Sequence, residues 1–363
     1  MKTELELNEM ILGITNKIRE SNSELLKYLN EMPVTIPYQK NPEITVKTLT
    51  SYYDSLVNLL YRYEDNNAKN VLPNKVENLP ITEIVTVESD NSYKNLLTEV
   101  NNITIAYNDV GEGSIPLIFL HGFPFDKSMW NGQLDSLKSS NRLIAPDIRG
   151  FGKSTDEITP LSIDLFSEDL RLFMNKLNIE KAIVCGLSMG GYIALNAIKR
   201  FPKRFKALIL CDTQCIADTA EVKENRYKAI EQINLDGVTE FNEKFIKTVF
   251  HPDSLTNKIE LVEQLRSMVF ANSREVIIAG LTALAERSET CSALHAILIP
   301  TLIICGREDK VTPLVQSEFM HGHIKGAGLK IIDKAAHVSN LEQPEAFNKQ
   351  LLDFLNSLNT VSN

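Results

Sequence analysis

A serine flanked by glycines is the residue of this sequence best placed for nucleophilic chemistry. The motif G-L-S-M-G, at residues 186–190, follows the apolar run 182–185 and precedes a helix-like run that begins at Tyr192. Glycines are needed beside a serine on a sharp strand-to-helix turn, because larger side chains would collide with the neighbouring strand and helix. The pattern predicts that Ser188 is a nucleophile at the positive end of a helix.

Other motifs occur in an order that one protein family shares. H-G-F-P at residues 121–124 follows the apolar run Leu117–Leu120, and D-I-R-G-F-G-K-S at residues 147–154 follows the run 143–145. With the serine motif, they make the chain from about residue 92 to its end resemble the α/β-hydrolase fold. This resemblance implies an oxyanion hole formed by the backbone N–H groups of Phe123 and Met189.

The resemblance also implies a catalytic triad in which the acid precedes the histidine. Asp309 lies in a G-x-x-D loop after the apolar run 302–305, and His337 follows the run 329–332. His337 would remove the proton of Ser188, and Asp309 would orient the imidazole and stabilise its charged form. Some relatives carry the acid after an earlier strand, where this chain has Asp212, so Asp212 is the alternative acid.

The resemblance favours hydrolysis of a small carboxylic ester or lactone through an acyl-serine intermediate. Within the family, the motifs are similar to those of esterase-like hydrolases grouped with 3-oxoadipate enol-lactonases. Relatives that open epoxides or remove halides have aspartate as the nucleophile at this position, so a serine here argues against both activities. The same triad also serves carbon–carbon bond hydrolysis, perhydrolysis and acyl transfer, and a receptor-like binding protein with slow turnover is the alternative outside catalysis.

The side chains of Phe123, Phe125 and Met189 are expected to form an apolar substrate pocket beside the oxyanion hole. Neither an organic cofactor nor a metal is expected. The G-K-S at residues 152–154 lacks the glycine that a phosphate-binding loop needs five residues before it, where Asp147 stands. His321 and His323 have no cysteine or carboxylate at a suitable spacing for a metal site. We expect His121 and Trp130 to be structural.

Short apolar runs that alternate with amphipathic segments of helical length predict the elements that hold these residues. Strands are expected at Leu96–Val100, 103–107, Leu117–Leu120, 143–145, 182–185, 208–211, 302–305 and 329–332, and helices at 164–177, 190–201 and 344–358. They predict an α/β fold with a mostly parallel sheet flanked by helices. Residues 216–292 break the alternation and read as helical throughout, which predicts a helical cap over the carboxyl ends of the strands.

The first 90 residues have a different character. Apolar residues at helical spacing predict two amphipathic helices, and a polar, proline-containing stretch follows them. The predicted organisation is a helical extension at 1–72, a linker at 73–91, a hydrolase core at 92–215 and 293–363, and the cap at 216–292. The leucine stripes of the extension predict self-association or contact with a partner.

Composition and sequence patterns restrict the kinds of partner that the protein is expected to bind and the cell compartment in which it is expected. With 38 basic and 47 acidic residues and a net charge of −9, the chain has the wrong sign for binding nucleic acid through its phosphates. The amino terminus lacks the pattern of a secretory signal, and no apolar run reaches the length of a membrane span. Most of the five cysteines lie in apolar runs, so we expect buried thiols without a disulfide framework and a cytoplasmic protein.

Overall fold

The structure is a computed structural model that describes residues 95–156 and 160–360, together with positions 11, 13 and 15. The predicted linker at 73–91, and nearly all of the predicted extension at 1–72, lie outside the described residues. Of the described residues, 95–156, 160–231 and 240–360 form one compact unit, which contains the sheet and the site described below.

An eight-stranded sheet forms the centre of the unit, with the strand order β1-β2-β4-β3-β5-β6-β7-β8. The pairs β1–β2 and β2–β4 are antiparallel, and all the other neighbours are parallel. The strands are β1 Leu96–Val100, β2 Ile103–Val110, β3 Leu117–Leu120, β4 Leu143–Pro146, β5 Ala182–Leu187, β6 Phe205–Cys211, β7 Thr301–Gly306 and β8 Gly328–Ile332. All eight predicted strands are therefore present, and the predicted fold class is confirmed.

The antiparallel edge begins with the predicted hairpin. Val100 pairs with Ile103, and Asn101 and Asn102 form the two-residue turn between them. Both asparagines have positive φ, 50° and 63°. Asparagine tolerates this left-handed backbone, which two-residue hairpin turns require, so the local sequence fixes the register of the first two strands.

The central strands are buried along their whole length because they consist of continuous apolar runs. β3, β4, β5 and β7 have no residue that is exposed, as expected for parallel strands covered on both faces. The carboxyl ends of β3, β5, β6 and β7 lie side by side in the register of the sheet. Loops that follow these strands are therefore neighbours, although they are far apart in the sequence.

Helices connect the parallel strands and flank the sheet. They are α1 Asn131–Leu137, α2 Ile163–Lys176, α3 Met189–Arg200, α4 Ala220–Asp236, α5 Thr239–Val249, α6 Pro252–Asn257, α7 Ile259–Phe270, α8 Arg274–Ala285, α9 Leu314–His323, α10 Ser339–Glu342 and α11 Pro344–Thr360, with short 3₁₀ turns at Lys127–Trp130, Pro202–Arg204 and Cys291–Ala296. The predicted helices at 164–177, 190–201 and 344–358 correspond to α2, α3 and α11. Trp130 is fully buried between Phe119 and Phe347, in the packing role expected of it.

The predicted cap, residues 216–292, contains the five helices α4 to α8. In the described part of the chain, none of the helices is long and apolar enough to cross a bilayer by itself. Only α7 and α8 pass that test of length and composition when they are taken together, and a 93° bend separates them.

A disulfide joins the two ends of this helical segment. It links Cys215, just after β6, to Cys291, 76 residues later, and the N–H of Thr290 donates a hydrogen bond to the carbonyl of Cys215. The expectation that all cysteines are free thiols is therefore wrong for this pair. It failed because the chain leaves and re-enters the sheet at adjacent positions, which the sequence separation conceals. Cys185, Cys211 and Cys305 are buried free thiols as expected.

Candidate active site

Ser188 lies on a sharp turn between β5 and α3. Its φ of 54° and ψ of −115° are in a sparsely populated region for a residue with a side chain. A Cβ at Gly186 would lie 2.2 Å from the carbonyl oxygen of Gly190, and a Cβ at Gly190 would lie 2.2 Å from that of Leu120. Only glycine therefore fits at either position, as the G-x-S-x-G pattern predicts.

The structure brings the three residues of the predicted triad together. The Nε2 atom of His337 lies 2.8 Å from the Oγ atom of Ser188, and its Nδ1 atom lies 2.8 Å from the Oδ2 atom of Asp309. All three side chains are buried. With the Nδ1 proton donated to the carboxylate, Nε2 is left as an acceptor for the serine hydroxyl.

The loop after β7 fixes the carboxylate of Asp309. Its Oδ1 atom accepts hydrogen bonds from the N–H groups of Val311 and Thr312, and its Oδ2 atom accepts one from the hydroxyl of Thr312. Burial raises the pKa of Asp309, but the charge of His337 and these hydrogen bonds outweigh it, so the pKa lies below its ordinary value. Asp309 is thus held as a carboxylate.

The carboxylates around His337 favour its protonated form. Burial lowers the pKa of His337, but the charge of Asp309 and its hydrogen bond raise the pKa above the ordinary value of 6.5, and Asp212 and Glu342 raise it further only when they are ionised. The neutral imidazole of His337 is therefore a base whose protonated form is stabilised by neighbouring carboxylates. These properties suit general base catalysis.

The alternative acid, Asp212, has no hydrogen bond to His337. Its carboxyl instead accepts a hydrogen bond from the N–H of Gly306 at 2.7 Å and lies 2.5 Å from the hydroxyl of Ser339. Burial and the charge of Asp309 raise the pKa of Asp212 to about 8. The geometry therefore favours Asp309 over Asp212 as the partner of His337.

The predicted oxyanion-hole donors adjoin the serine. Met189 is the first residue of α3, and the first N–H groups of a helix have no acceptor within the helix. Phe123 directly follows Gly122, whose Cα is so close that a Cβ there would lie 3.2 Å from the Cβ of Ser188. The assignment of the N–H groups of Phe123 and Met189 to an oxyanion hole remains a prediction.

Aromatic rings pack around Phe123 and Phe125 in the H-G-F-P loop that follows β3. The ring of Phe123 meets those of Phe151 and Phe245 edge to face, at centroid distances of 5.9 and 6.2 Å, and the ring of Phe125 lies 5.8 Å from that of Phe245. Phe125 and Met189 are fully buried and Phe123 nearly so. The predicted pocket residues thus lie in an apolar environment, with Met189 directly after Ser188, and their contact with a substrate stays a prediction.

His121, in the loop after β3, is structural, as expected, and Asp147, after β4, makes an ion pair. His121 is buried, donates from Nδ1 to the carbonyl of Gly122 and accepts at Nε2 from the N–H of Ile148, and burial lowers its pKa. This is the hydrogen bonding of a neutral imidazole. Asp147 is buried and binds the Nζ of Lys127 at 2.6 Å.

In the described residues, no group of three or more His, Cys, Asp or Glu side chains is arranged to hold a metal ion. Of the two histidines weighed for that role, His323 stacks on Phe319 and bonds its carbonyl.

Several residues of the site were missed in the sequence. Phe245 and Phe241 of α5 stack on each other, and Phe245 brings the inserted helices into contact with the H-G-F-P loop. Their spacing of four residues in an amphipathic helix was a usable signal. Glu342 was not detectable in this way: its buried carboxylate accepts from the N–H groups of Ala336 and His251, and so joins the histidine loop to the inserted helices.

Comparison with known proteins agrees with this fold. The chain matches the family described as "alpha/beta hydrolase fold" over residues 115–344, and it belongs to that family. It is 30% identical over 257 residues to 3-oxoadipate enol-lactonase 2 of Acinetobacter baylyi, covering 70% of this chain and 94% of the relative.

Two further relatives indicate the range of chemistry in the family. A 2-hydroxy-6-oxononadienedioate/2-hydroxy-6-oxononatrienedioate hydrolase of Paraburkholderia phymatum is 29% identical over 280 residues, 74% of this chain and 97% of that protein. The structure of a thermophilic esterase from Thermogutta terrifontis superimposes with a TM-score of 0.68 at 32% identity, covering 70% of this chain and 94% of the esterase. The chain is thus a member of a hydrolase family, and its relatives are named for different substrates.

Proposed function

We propose that this protein hydrolyses a small carboxylic ester or lactone through an acyl-serine intermediate. The observation that carries the proposal is the continuous chain of hydrogen bonds from Ser188 through His337 to Asp309, with both links at 2.8 Å. A serine on a strained turn, a base on its hydroxyl and a carboxylate on that base are the components of nucleophilic acyl transfer. The esterase and enol-lactonase relatives support the same reaction class.

The reaction would begin with the transfer of the Ser188 proton to Nε2 of His337 while Oγ attacks the carbonyl carbon of the substrate. The new negative charge on the carbonyl oxygen would be stabilised by the N–H groups of Phe123 and Met189. Imidazolium at His337, stabilised by Asp309, would then donate the proton to the departing alkoxide. The acyl-serine that remains is hydrolysed by water in the reverse order of proton transfers.

The surroundings of Ser188 support a substrate with an apolar acyl group. Met189 directly follows Ser188, and the buried rings of Phe123 and Phe125, in the loop after β3, both contact the ring of Phe245. Burial of an apolar acyl group against such rings is favourable by about 25 cal/mol per Å² of area removed from water. We therefore expect short acyl chains to bind without a charged anchor.

The test is turnover of a panel of p-nitrophenyl esters from acetate to octanoate, with simple lactones, by the full chain and by Ser188→Ala. We expect multiple turnovers on short esters by the parent and a loss of about 10⁴- to 10⁶-fold in the variant. Turnover that persists within tenfold in Ser188→Ala would remove Ser188 as the nucleophile. A single burst without turnover in the parent would favour the receptor-like alternative instead.

Carbon–carbon bond hydrolysis is the second candidate, because a relative with 29% identity is named for a hydrolase of 2-hydroxy-6-oxononadienedioate. The two candidates separate by substrate. A vinylogous 1,5-diketone offered beside p-nitrophenyl butyrate would be cleaved at a comparable kcat/KM by a carbon–carbon hydrolase. We expect the ester to be preferred by at least about a hundredfold, which corresponds to about 2.7 kcal/mol of transition-state stabilisation.

A further inference from the structure

The segment 211–213, at the end of β6, contacts all three loops that carry the triad. The carbonyl of Cys211 accepts the N–H of Ser188 at 3.0 Å, and the hydroxyl of Thr213 donates to the carbonyl of Ser188 at 2.8 Å. The nucleophile is therefore held on both sides of its Cα by the two neighbours of Asp212.

The side chain of Asp212 reaches the other two loops. Its Oδ1 atom accepts the N–H of Gly306, three residues before Asp309, at 2.7 Å. Its Oδ2 atom lies 2.5 Å from the hydroxyl of Ser339, two residues after His337. One residue thus connects the acid loop to the histidine loop.

The backbone of Asp212 is adapted to this position. Its φ is 44°, in the left-handed region that residues with side chains rarely adopt. Its side chain has no exposed surface. Such strain persists only where the surroundings hold it, and at this site the hydrogen bonds to Gly306 and Ser339 do so.

The hydrogen-bond partners of Asp212 make its role separable from that of Asp309 by experiment, because its carboxyl bonds Gly306 and Ser339 and not His337. Burial and the nearby charge of Asp309 raise its pKa to about 8, which favours the protonated carboxyl. A protonated carboxyl and a carboxamide have nearly the same shape. Asparagine at this position can accept from Gly306 through its oxygen and donate to Ser339 through its nitrogen.

We propose that Asp212 is a positioning residue for the reaction at Ser188, holding the loops of Asp309 and His337 in register with the nucleophile through hydrogen bonds rather than through charge. The inference rests on the proposed function for its kinetic test. Asp212, the alternative acid, would in this role need no contact with the substrate.

The kinetic test compares Asp212→Ala, Asp212→Asn and Ser339→Ala on p-nitrophenyl butyrate at pH 7. We expect Asp212→Ala to lower kcat by about a hundredfold with KM within threefold of the parent, because a shift of about 1 Å in a catalytic group costs on that order. Asp212→Asn should lose at most about fivefold. Ser339→Ala removes one of the two hydrogen bonds without a large cavity and should lower kcat about tenfold.

Three outcomes would overturn the proposal. A folded Asp212→Ala variant with kcat within fivefold of the parent would show that the loops need no such link. An Asp212→Asn variant as inactive as Asp309→Asn would show that the charge of Asp212 is what matters. If Asp212→Ala does not fold, the decision passes to Ser339→Ala, and an unchanged kcat there would refute the role.

A second readout does not depend on the substrate. The proton between His337 Nδ1 and Asp309 gives a strongly downfield ¹H NMR resonance in such pairs, and its position reports their geometry. We expect this resonance to be retained in Asp212→Asn and lost or displaced in Asp212→Ala. If the parent turns over no ester or lactone, the proposed function fails while this measurement still decides the positioning role. The same resonance in the parent and in Asp212→Ala would refute that role.

Discussion

Replacement of Asp309 by asparagine tests the triad at the atom where its geometry is most constrained. The Oδ1 atom accepts two backbone N–H groups, from Val311 and Thr312, and the Oδ2 atom faces Nδ1 of His337. In Asp309→Asn, the amide oxygen must stay at the Oδ1 position to accept those N–H groups. The amide nitrogen then takes the Oδ2 position and donates to Nδ1 of His337.

The consequence is the wrong tautomer of the imidazole. When Nδ1 accepts a hydrogen bond, the proton of the neutral ring resides on Nε2, which faces Ser188 and can no longer take the serine proton. Turning the amide round would leave two buried N–H groups facing an NH₂ group, at about 1–3 kcal/mol for each lost hydrogen bond. Restoring the reactive tautomer in this way would therefore cost about 2–6 kcal/mol in total. A loss of about 10⁴-fold in kcat, which is typical of this change in a serine triad, falls within that range.

The assay is kcat for p-nitrophenyl butyrate at pH 7.5, with active-site titration and circular dichroism to verify the fold. Thr312→Val is the matched control, because it removes the hydroxyl donor to Oδ2 but keeps the carboxylate and both backbone N–H groups. We expect a loss of less than about tenfold in the control, as one neutral hydrogen bond contributes about 1 kcal/mol. A folded Asp309→Asn variant within tenfold of the parent would refute the tautomer argument.

Further predictions concern the base, the disulfide and the amino-terminal region. The kcat/KM for a neutral ester should fall as the pH drops through the pKa of His337, which lies above 6.5, because only neutral imidazole accepts the serine proton. A flat profile from pH 5 to 8 would contradict this. Without reductant, the denatured protein should titrate three thiols, and five would show that the disulfide does not form. The double variant Cys215→Ser, Cys291→Ser should have a free energy of unfolding lower by up to about 4 kcal/mol, because the disulfide closes a loop over 76 residues. A chain starting near residue 85 should keep the kcat of the full chain on a small ester, and a hundredfold lower kcat of folded protein would show that the preceding residues shape the active site.

Much of the fold was predictable because its signals are local. Continuous apolar runs defined the buried strands, and two asparagines defined the first hairpin. Ser188 was identifiable for the same reason. The sharp turn at Ser188 requires glycine at positions 186 and 190, which are within two residues of the serine. Five consecutive positions therefore carry the whole signal.

The partner of His337 was decided by tertiary structure. Asp212 and Asp309 both follow buried parallel strands that are neighbours in the sheet, β6 and β7, and β6 also pairs with the strand that precedes Ser188. Sequence reasoning favoured Asp309 through resemblance alone. Only the fold directs its carboxylate to Nδ1 of the histidine, while the carboxyl of Asp212 is directed to Gly306 and Ser339.

The contacts that join distant segments were beyond the sequence altogether. Cys215 and Cys291 meet because the inserted helices leave and return at one place beside the sheet, and Glu342 bonds His251, 91 residues earlier. Local propensity and periodicity describe a residue and its near neighbours, whereas these contacts depend on how complete elements pack. The sequence by itself therefore determined the strands, the elbow and the order of the candidate residues, and the tertiary structure decided which polar groups face one another, because only the packed sheet sets those distances.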